Sequence, residues 1–262
     1  MEIQPKKSLG QNFLINAGIL EKIVSAAELS PDDTVLEIGP GTGNLTKLLF
    51  EKSSRVIAVE KDCRLIEDLK IKFPAIKIVE EDALEFKPEE HGLKEGDYKI
   101  VANIPYYITS ILLRTIFEKW PKPKLIVLTV QKEVAKRITA KPPDMSLLAL
   151  SVQFYVEPKI VGYVSRGSFR PMPKVDSAII KLTPRIFEVE PPTEVQPRIF
   201  FKVAKAGFSG KRKQLINNLV KNSGMIREDT LKIFETMGIE PDIRAENLSL
   251  NQWIELSKLM EK

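Results

Sequence analysis

The sequence predicts an α/β fold followed by a small all-helical C-terminal domain, and three observations predict it. Short apolar, β-branched runs alternate with helix-length amphipathic segments from Thr34 to about Val130, the rhythm of a parallel sheet with crossover helices. The first run leads straight into a glycine-rich turn, EIGPGTGNLT (37–46). Beyond a proline-rich stretch only helical periodicity remains. The length of 262 residues suits one large domain plus a small one, and 43% hydrophobic residues with 13 Gly give a globular composition.

Taken in order, the strands are TVLEI (34–38), RVIAVE (55–60), IKIVE (76–80), YKIVAN (98–103) and KLIVLTV (124–130), with helices expected near 44–52, 62–73 and 108–119. KEVAKRITA (132–140) reads as helix, 146–164 as a helix running into a strand that Pro158 interrupts, and SAIIKLT (177–183) as the last strand. Pro184, Pro191, Pro192 and Pro197 follow closely; proline fixes φ and removes a donor, so regular structure should break there. The domain boundary is placed at that break, giving 1–185 and 186–262. The second part should hold helices near 197–208, 211–221, 228–237 and 247–260.

Composition narrows the chemistry. The longest strongly apolar stretches, 125–130 and 145–156, fall short of the roughly 18 residues that cross a bilayer. The N-terminus MEIQPKKSLGQNF has no apolar segment behind its lysines, so a cytoplasmic location is expected. One cysteine, Cys63, and one histidine, His91, make disulfides, His/Cys metal sites and histidine general-base catalysis poor expectations. A net charge of +5 permits an anionic partner without identifying one. Its distribution says more: between Glu194 and Glu228 lie Arg198, Lys202, Lys205, Lys211, Arg212, Lys213, Lys221 and Arg227 with no acidic residue.

In the glycine turn, Gly39, Gly41 and Gly43 are spaced G-x-G-x-G, and Asn44 stands where a dinucleotide fingerprint has its third glycine. Such glycines let backbone approach a ligand, or simply make a tight turn. Glu60 ends the second strand, 21 residues after Gly39, near the offset at which a carboxylate accepts ribose hydroxyls. Asp82 follows the third strand and Asn103 ends the fourth, so the polar residues converge on one crevice. Singly each would read as a cap or loop residue. A ribose carboxylate with no phosphate grip suits S-adenosylmethionine. NIPYY (103–107) then offers the Asn103 oxygen and the Ile104 carbonyl as acceptors for an exocyclic amine. Pro105 shapes the turn, and Tyr106 is placed to stack on a base withdrawn from its own stack. Phe169 could cover the base's other face, with Arg166, Arg170 and Lys174 on flanking phosphates; a buried loop aromatic is the alternative. In KRKQLINNLVK, Lys211, Arg212 and Lys213 precede a helix whose buried face is Leu215, Ile216, Leu219 and Val220. Cations at a helix N-terminus cost stability, which favours phosphate contact over a solvated face.

With KKSLGQNFL (6–14), EIGPGTGNLT, EDAL (81–84), NIPYY, QKEV (131–134), FRPMPKVDSA (169–178), GKRKQLINNL (210–219) and MGIEPDIRAENLS (237–249), the chain resembles the KsgA family, the bacterial small-subunit ribosomal RNA adenine N6,N6-dimethyltransferases. The resemblance spans Lys6 to about Leu259. It implies a Rossmann-like S-adenosylmethionine-dependent methyltransferase domain and a helical RNA-binding domain. It implies cofactor contacts from Asn12, Leu14, Gly39, Gly41, Glu60, Asp82 and Asn103. Glu60 would take the ribose, Asp82 the adenine amine, and Asn12 and Leu14 would form an N-terminal lid. Asn103, Ile104, Pro105, Tyr106 and Phe169 would form the target-base pocket, and Arg170, Lys174, Lys211, Arg212 and Lys213 would contact RNA. The implied substrate is two adjacent adenosines in the 3′-terminal hairpin loop of 16S RNA, within an assembling small subunit; a monomer is expected. Gly43 varies in the family, and Tyr107 stands where the family often has Asn. NIPYY is also shared with the erythromycin-resistance methyltransferases of large-subunit RNA. A non-catalytic RNA-binding assembly factor is the reading from another class.

Overall fold

The apolar runs form the strands of one twisted sheet in a computed structural model that describes residues 4–6, 9–185 and 195–261. The chain divides into two units, Met1–Ala135 with Glu157–Pro184, and Lys136–Val156 with Arg185–Lys262.

The first unit begins with β1 (Phe13–Leu14), α1 (Ala17–Ala26), β2 (Thr34–Ile38), α2 (Asn44–Lys52), β3 (Arg55–Glu60), α3 (Cys63–Lys72) and β4 (Lys77–Glu80). It continues through β5 (Tyr98–Asn103), α4 (Thr109–Lys119), β6 (Leu125–Gln131) and the start of α5 (Lys132–Ile138). The chain returns after α6 (Leu147–Gln153) as β7 (Val156–Val164), β8 (Phe169–Arg170) and β9 (Ser177–Pro184). The seven-stranded sheet has the order β4-β3-β2-β5-β6-β9-β7. β2 pairs in parallel with both β3 and β5, β3 with β4 and β5 with β6, whereas β9 runs antiparallel to β6. Parallel strands covered on both faces read as continuous apolar runs, which is why Val35, Leu36, Ile57, Ala58, Ile100, Val101, Ile126 and Val127 are fully buried.

The chain leaves β2 toward β3 on one side and returns as β5 on the other. The crevice outside the carboxyl ends of β2, β3 and β5 is therefore a topological switch point, where open α/β sheets bind ligands. Asp62 caps α3 and Asn16 caps α1, each accepting from a backbone N–H of the first turn.

In the second unit α6 packs with α7 (Pro197–Gly207), α8 (Leu215–Ser223), α9 (Arg227–Thr236) and α10 (Leu250–Leu259). Leu150 and Phe154 join Phe200, Leu215, Leu219, Phe234 and Trp253 in one core, and the Phe154 and Phe200 rings stack with centroids 4.4 Å apart. A capping box of Ser249 and Gln252 starts α10.

Three expectations need correction. The division is not a single cut at 185: residues 136–156 belong with the C-terminal helices, because their apolar side chains complete that core. Pro158 does not interrupt β7, which lies at the edge of the sheet, where proline is tolerated. The helix expected from Lys211 starts at Leu215, with Lys211, Arg212 and Lys213 in turns ahead of it. Helix α1 and the strand pair β1/β8 carry no expectation from the sequence. The proline-rich stretch expected to break the chain falls largely on 186–194, outside the described residues. No helix among the described residues is long and apolar enough to cross a membrane.

Candidate active site

A cavity of about 1010 Å³, open solvent at its mouth included, lies at the switch point. Its wall includes Asn12, Leu14, Gly39, Gly41, Glu60, Asp82, Asn103, Ile104, Pro105 and Tyr106. The structure thus brings together every residue expected to bind the cofactor and four of the five expected around the target base.

The strand register places them. β2 ends at Ile38 between β3 and β5, so Glu60 at the end of β3 and Asn103 at the end of β5 flank the glycine turn from opposite sides. Gly39 has φ +69°, and among the described residues no atom beyond its chain neighbours lies within 4 Å of where a Cβ would sit, leaving bare backbone at the cavity wall. Gly43, expected to be the most replaceable of the three, has a different need: a Cβ there would lie 2.6 Å from the Phe73 ring.

Glu60 is 7% exposed, and its oxygens accept from the N–H of Gly41 at 3.1 Å and of Asp62 at 2.9 Å. Burial pushes its carboxyl above the usual range, against those two bonds. Asp82 pairs with Lys61 at 2.6 Å; burial works against its ionisation, but the bonds from Lys61 and the Leu84 N–H prevail and hold it low. The Asn103 amide nitrogen donates to the Asn12 carbonyl at 3.2 Å, which leaves Oδ1 as the acceptor. Tyr106 Oη and Ser177 Oγ lie 2.6 Å apart, fixing the ring at the cavity edge.

The segment 9–14 closes one side as a strap. Its carbonyls at Asn12 and Leu14 are held by side-chain amides of Asn103 and Asn44. Gln11 donates to Asp62 at 2.8 Å, and Phe13 and Leu14 pair with Arg170 and Phe169.

Phe169 departs from expectation. It is 2% exposed, is not part of the cavity wall, and packs with Leu14, Leu20 and Ile23 in the sheet's core. Its pairing with β1 places it beside Leu14 in that core. Arg166, Arg170 and Lys174 are exposed and form no ion pair among the described residues. No cluster of His, Cys, Asp or Glu among the described residues is arranged to hold a metal.

The wall residues without an assignment from the sequence include Glu37, Asn44, Lys61 and Tyr107. Glu37 had a signal, a carboxylate in the middle of an apolar strand. It is 1% exposed and its Oε2 has no hydrogen-bond partner among the described residues. Burial raises it to about 8, with the Thr46 hydroxyl acting the other way and Glu60 adding to the rise. The folded chain therefore holds a proton there that the unfolded chain loses above the ordinary value of 4.5. That contribution to stability is full below this value and is lost as pH climbs toward 8. Glu37→Gln should remove this slope and stabilise the protein at pH 8 by on the order of a few kcal/mol. Parallel thermal melts of the two proteins between pH 5 and 8 check it, and parallel slopes would count against a raised Glu37.

With Glu37 held protonated, the wall sets the carboxyls of Glu60, Glu81 and Asp82 against the single cation Lys61. That balance repels phosphates and favours a ligand carrying positive charge. The family model for ribosomal RNA adenine dimethylase matches residues 3–262. The chain belongs to the ribosomal RNA adenine dimethylase family. It is 46% identical over 258 residues, 97% of this chain and 88% of the relative, to a ribosomal RNA small subunit methyltransferase A from Dehalococcoides mccartyi (strain CBDB1). To the protein of that name from Geobacillus thermodenitrificans (strain NG80-2) it is 39% identical over 271 residues, covering 97% and 90%. Among solved structures it is similar to a dimethyladenosine transferase from Plasmodium falciparum, with TM-score 0.80, 30% identity and coverage of 93% and 95%. It is also similar to the 23S rRNA methyltransferase ErmE, with TM-score 0.77, 28% identity and coverage of 96% and 100%. A member of this family is an S-adenosylmethionine-dependent methyltransferase, and the crevice fits that cofactor: bare backbone at Gly39, a ribose-ready carboxylate at Glu60, and an acidic wall for a sulfonium and an ammonium group.

Proposed function

We propose that this protein transfers methyl groups to the N6 amines of two adjacent adenosines in the 3′-terminal hairpin loop of 16S ribosomal RNA, within the assembling small subunit in the cytoplasm, and acts as a monomer. The observation that carries the reading is Asn103-Ile104-Pro105-Tyr106 at the carboxyl end of β5, on the wall of an acidic crevice. The relatives at 39–46% identity are named for the small subunit, which supports that substrate over large-subunit RNA.

S-adenosylmethionine, when bound, supplies the methyl group on a sulfonium centre. Gly39, Gly41, Glu60, Asp82, Asn12 and Leu14 hold it, with the Glu60 carboxylate on the ribose and Asp82 on the adenine amine. The target nitrogen is conjugated to its ring and so a poor nucleophile. Asn103 Oδ1 and the Ile104 carbonyl accept its two hydrogens and draw it toward tetrahedral geometry, aiming the lone pair at the methyl group. Tyr106, fixed through Ser177, stacks on the withdrawn base. Transfer would form the N–C bond as the methyl–sulfur bond breaks, the sulfur keeping that electron pair as a neutral thioether and the amine's proton leaving to solvent, so no ionisable base is required. Arg170 and Lys174 contact flanking phosphates, and Lys211, Arg212 and Lys213 grip RNA from the second unit.

The test is radiolabelled methyl transfer to small subunits lacking dimethyladenosine, with large subunits alongside and nucleoside analysis of the product. Dimethyladenosine in the small subunit alone is expected. Label in the large subunit overturns the substrate assignment, and tight subunit binding without label makes the chain an assembly factor.

A further inference from the structure

The loop between α7 and α8 is held more firmly than a solvated run of charge needs. Lys211, Arg212 and Lys213 are exposed and make no ion pair among the described residues. They sit ahead of the positive end of α8, where they repel one another and the helix dipole alike. Left to itself, such a loop would spread into solvent.

Asn218, a polar residue on the buried face of α8, opposes this. It is 2% exposed and gives one amide hydrogen to the Gly207 carbonyl that ends α7, at 2.7 Å, and the other to the Gly210 carbonyl in the loop, at 3.0 Å. The loop lies so close that a Cβ on Gly210 would stand 2.6 Å from Asn218 Oδ1. The Lys213 N–H closes a turn onto the Gly210 carbonyl at 3.0 Å. One helical turn beyond Asn218, Asn222 holds the Ser209 hydroxyl at 2.8 Å.

We infer that Asn218 is a positioning residue that pre-organises 208–213 as a rigid hook presenting three cations to RNA phosphates. The inference rests on the reading of Lys211, Arg212 and Lys213 as RNA contacts. Ordering the loop in advance spares that entropy at binding, so the cations engage a polyanion of fixed geometry at lower cost.

The test uses the full chain and small subunits lacking dimethyladenosine, with affinity measured across a salt series. Hydrogen exchange of the wild-type chain alone should show the Lys213 amide already protected before RNA is added; free exchange there overturns the inference without any variant. Asn218→Ala, and Asn218→Ser as a milder change, should speed exchange across 208–213 and weaken binding roughly tenfold with the salt slope unchanged, since the number of cations is the same. In a background with Lys211, Arg212 and Lys213 neutralised, Asn218→Ala should cost nothing further, because its effect passes through them. An equal loss in that background, or faster exchange with unchanged affinity, overturns the positioning role. If neutralising the three cations leaves the salt slope intact, the reading of them as RNA contacts fails, and the inference with it.

Discussion

Asn103→Ala should lower methyl transfer by roughly 10²–10³-fold at saturating cofactor while leaving small-subunit affinity within about twofold of wild type. The asymmetry follows from where the side chain spends its bonds. Its nitrogen is committed to the strap through the Asn12 carbonyl, and its oxygen meets a substrate amine whose hydrogens become better donors only as the nitrogen acquires positive charge. The interaction is therefore worth most in the transition state, so the loss belongs in kcat and not in KM. Asn103→Asp keeps an acceptor but cannot donate to Asn12, and should fall between the two. Single-turnover transfer and subunit binding, measured side by side, decide it. A parallel fall in affinity would make Asn103 a docking residue.

Neutralising Lys211, Arg212 and Lys213 together should have the largest effect on RNA binding. Each phosphate contact contributes about 0.7–0.9 to the slope of log affinity against log salt, so three lost contacts should flatten it by roughly 2. Because the affected residues are remote in sequence from NIPYY, the rate from a saturated complex should stay near wild type. Titration from low to physiological salt, followed by single-turnover transfer at saturation, separates the two quantities.

The strands and the glycine turn were legible because both report on backbone needs that leave few residue choices. A parallel strand buried on both faces must be apolar, and a turn with positive φ at Gly39 and Gly43 must be glycine-rich. The convergence of Glu60, Asp82 and Asn103 followed, since a polar residue ending such a strand has one crevice to face. Contacts between distant segments were not legible. Phe169 was open between cavity and core until its pairing with Leu14 was seen. Asn44, read as a missing glycine, spends its side chain holding the strap through the Leu14 carbonyl. Asn218 sits within an apolar periodicity that assigned the buried face to Val220, because periodicity records hydrophobicity and is blind to a buried amide with two carbonyl partners. The membership of 136–156 in the second unit has the same origin: α6 is amphipathic, and which core it completes depends on residues more than forty positions downstream.

That discontinuous path bears on how the chain is made. Leu150 and Phe154 leave the ribosome well before Phe200, Leu219, Phe234 and Trp253, the residues that bury them. During synthesis α6 must therefore wait, its apolar face uncovered, while β7 and β9 are already available to finish the sheet. Since domains fold as their residues become available, the expected order of folding has the sheet assembled at a stage before α6 is covered. Ending the chain at 185 would make that stage permanent, so the methyltransferase unit should be isolated by removing 136–156 along with the C-terminal helices, and not by truncation alone.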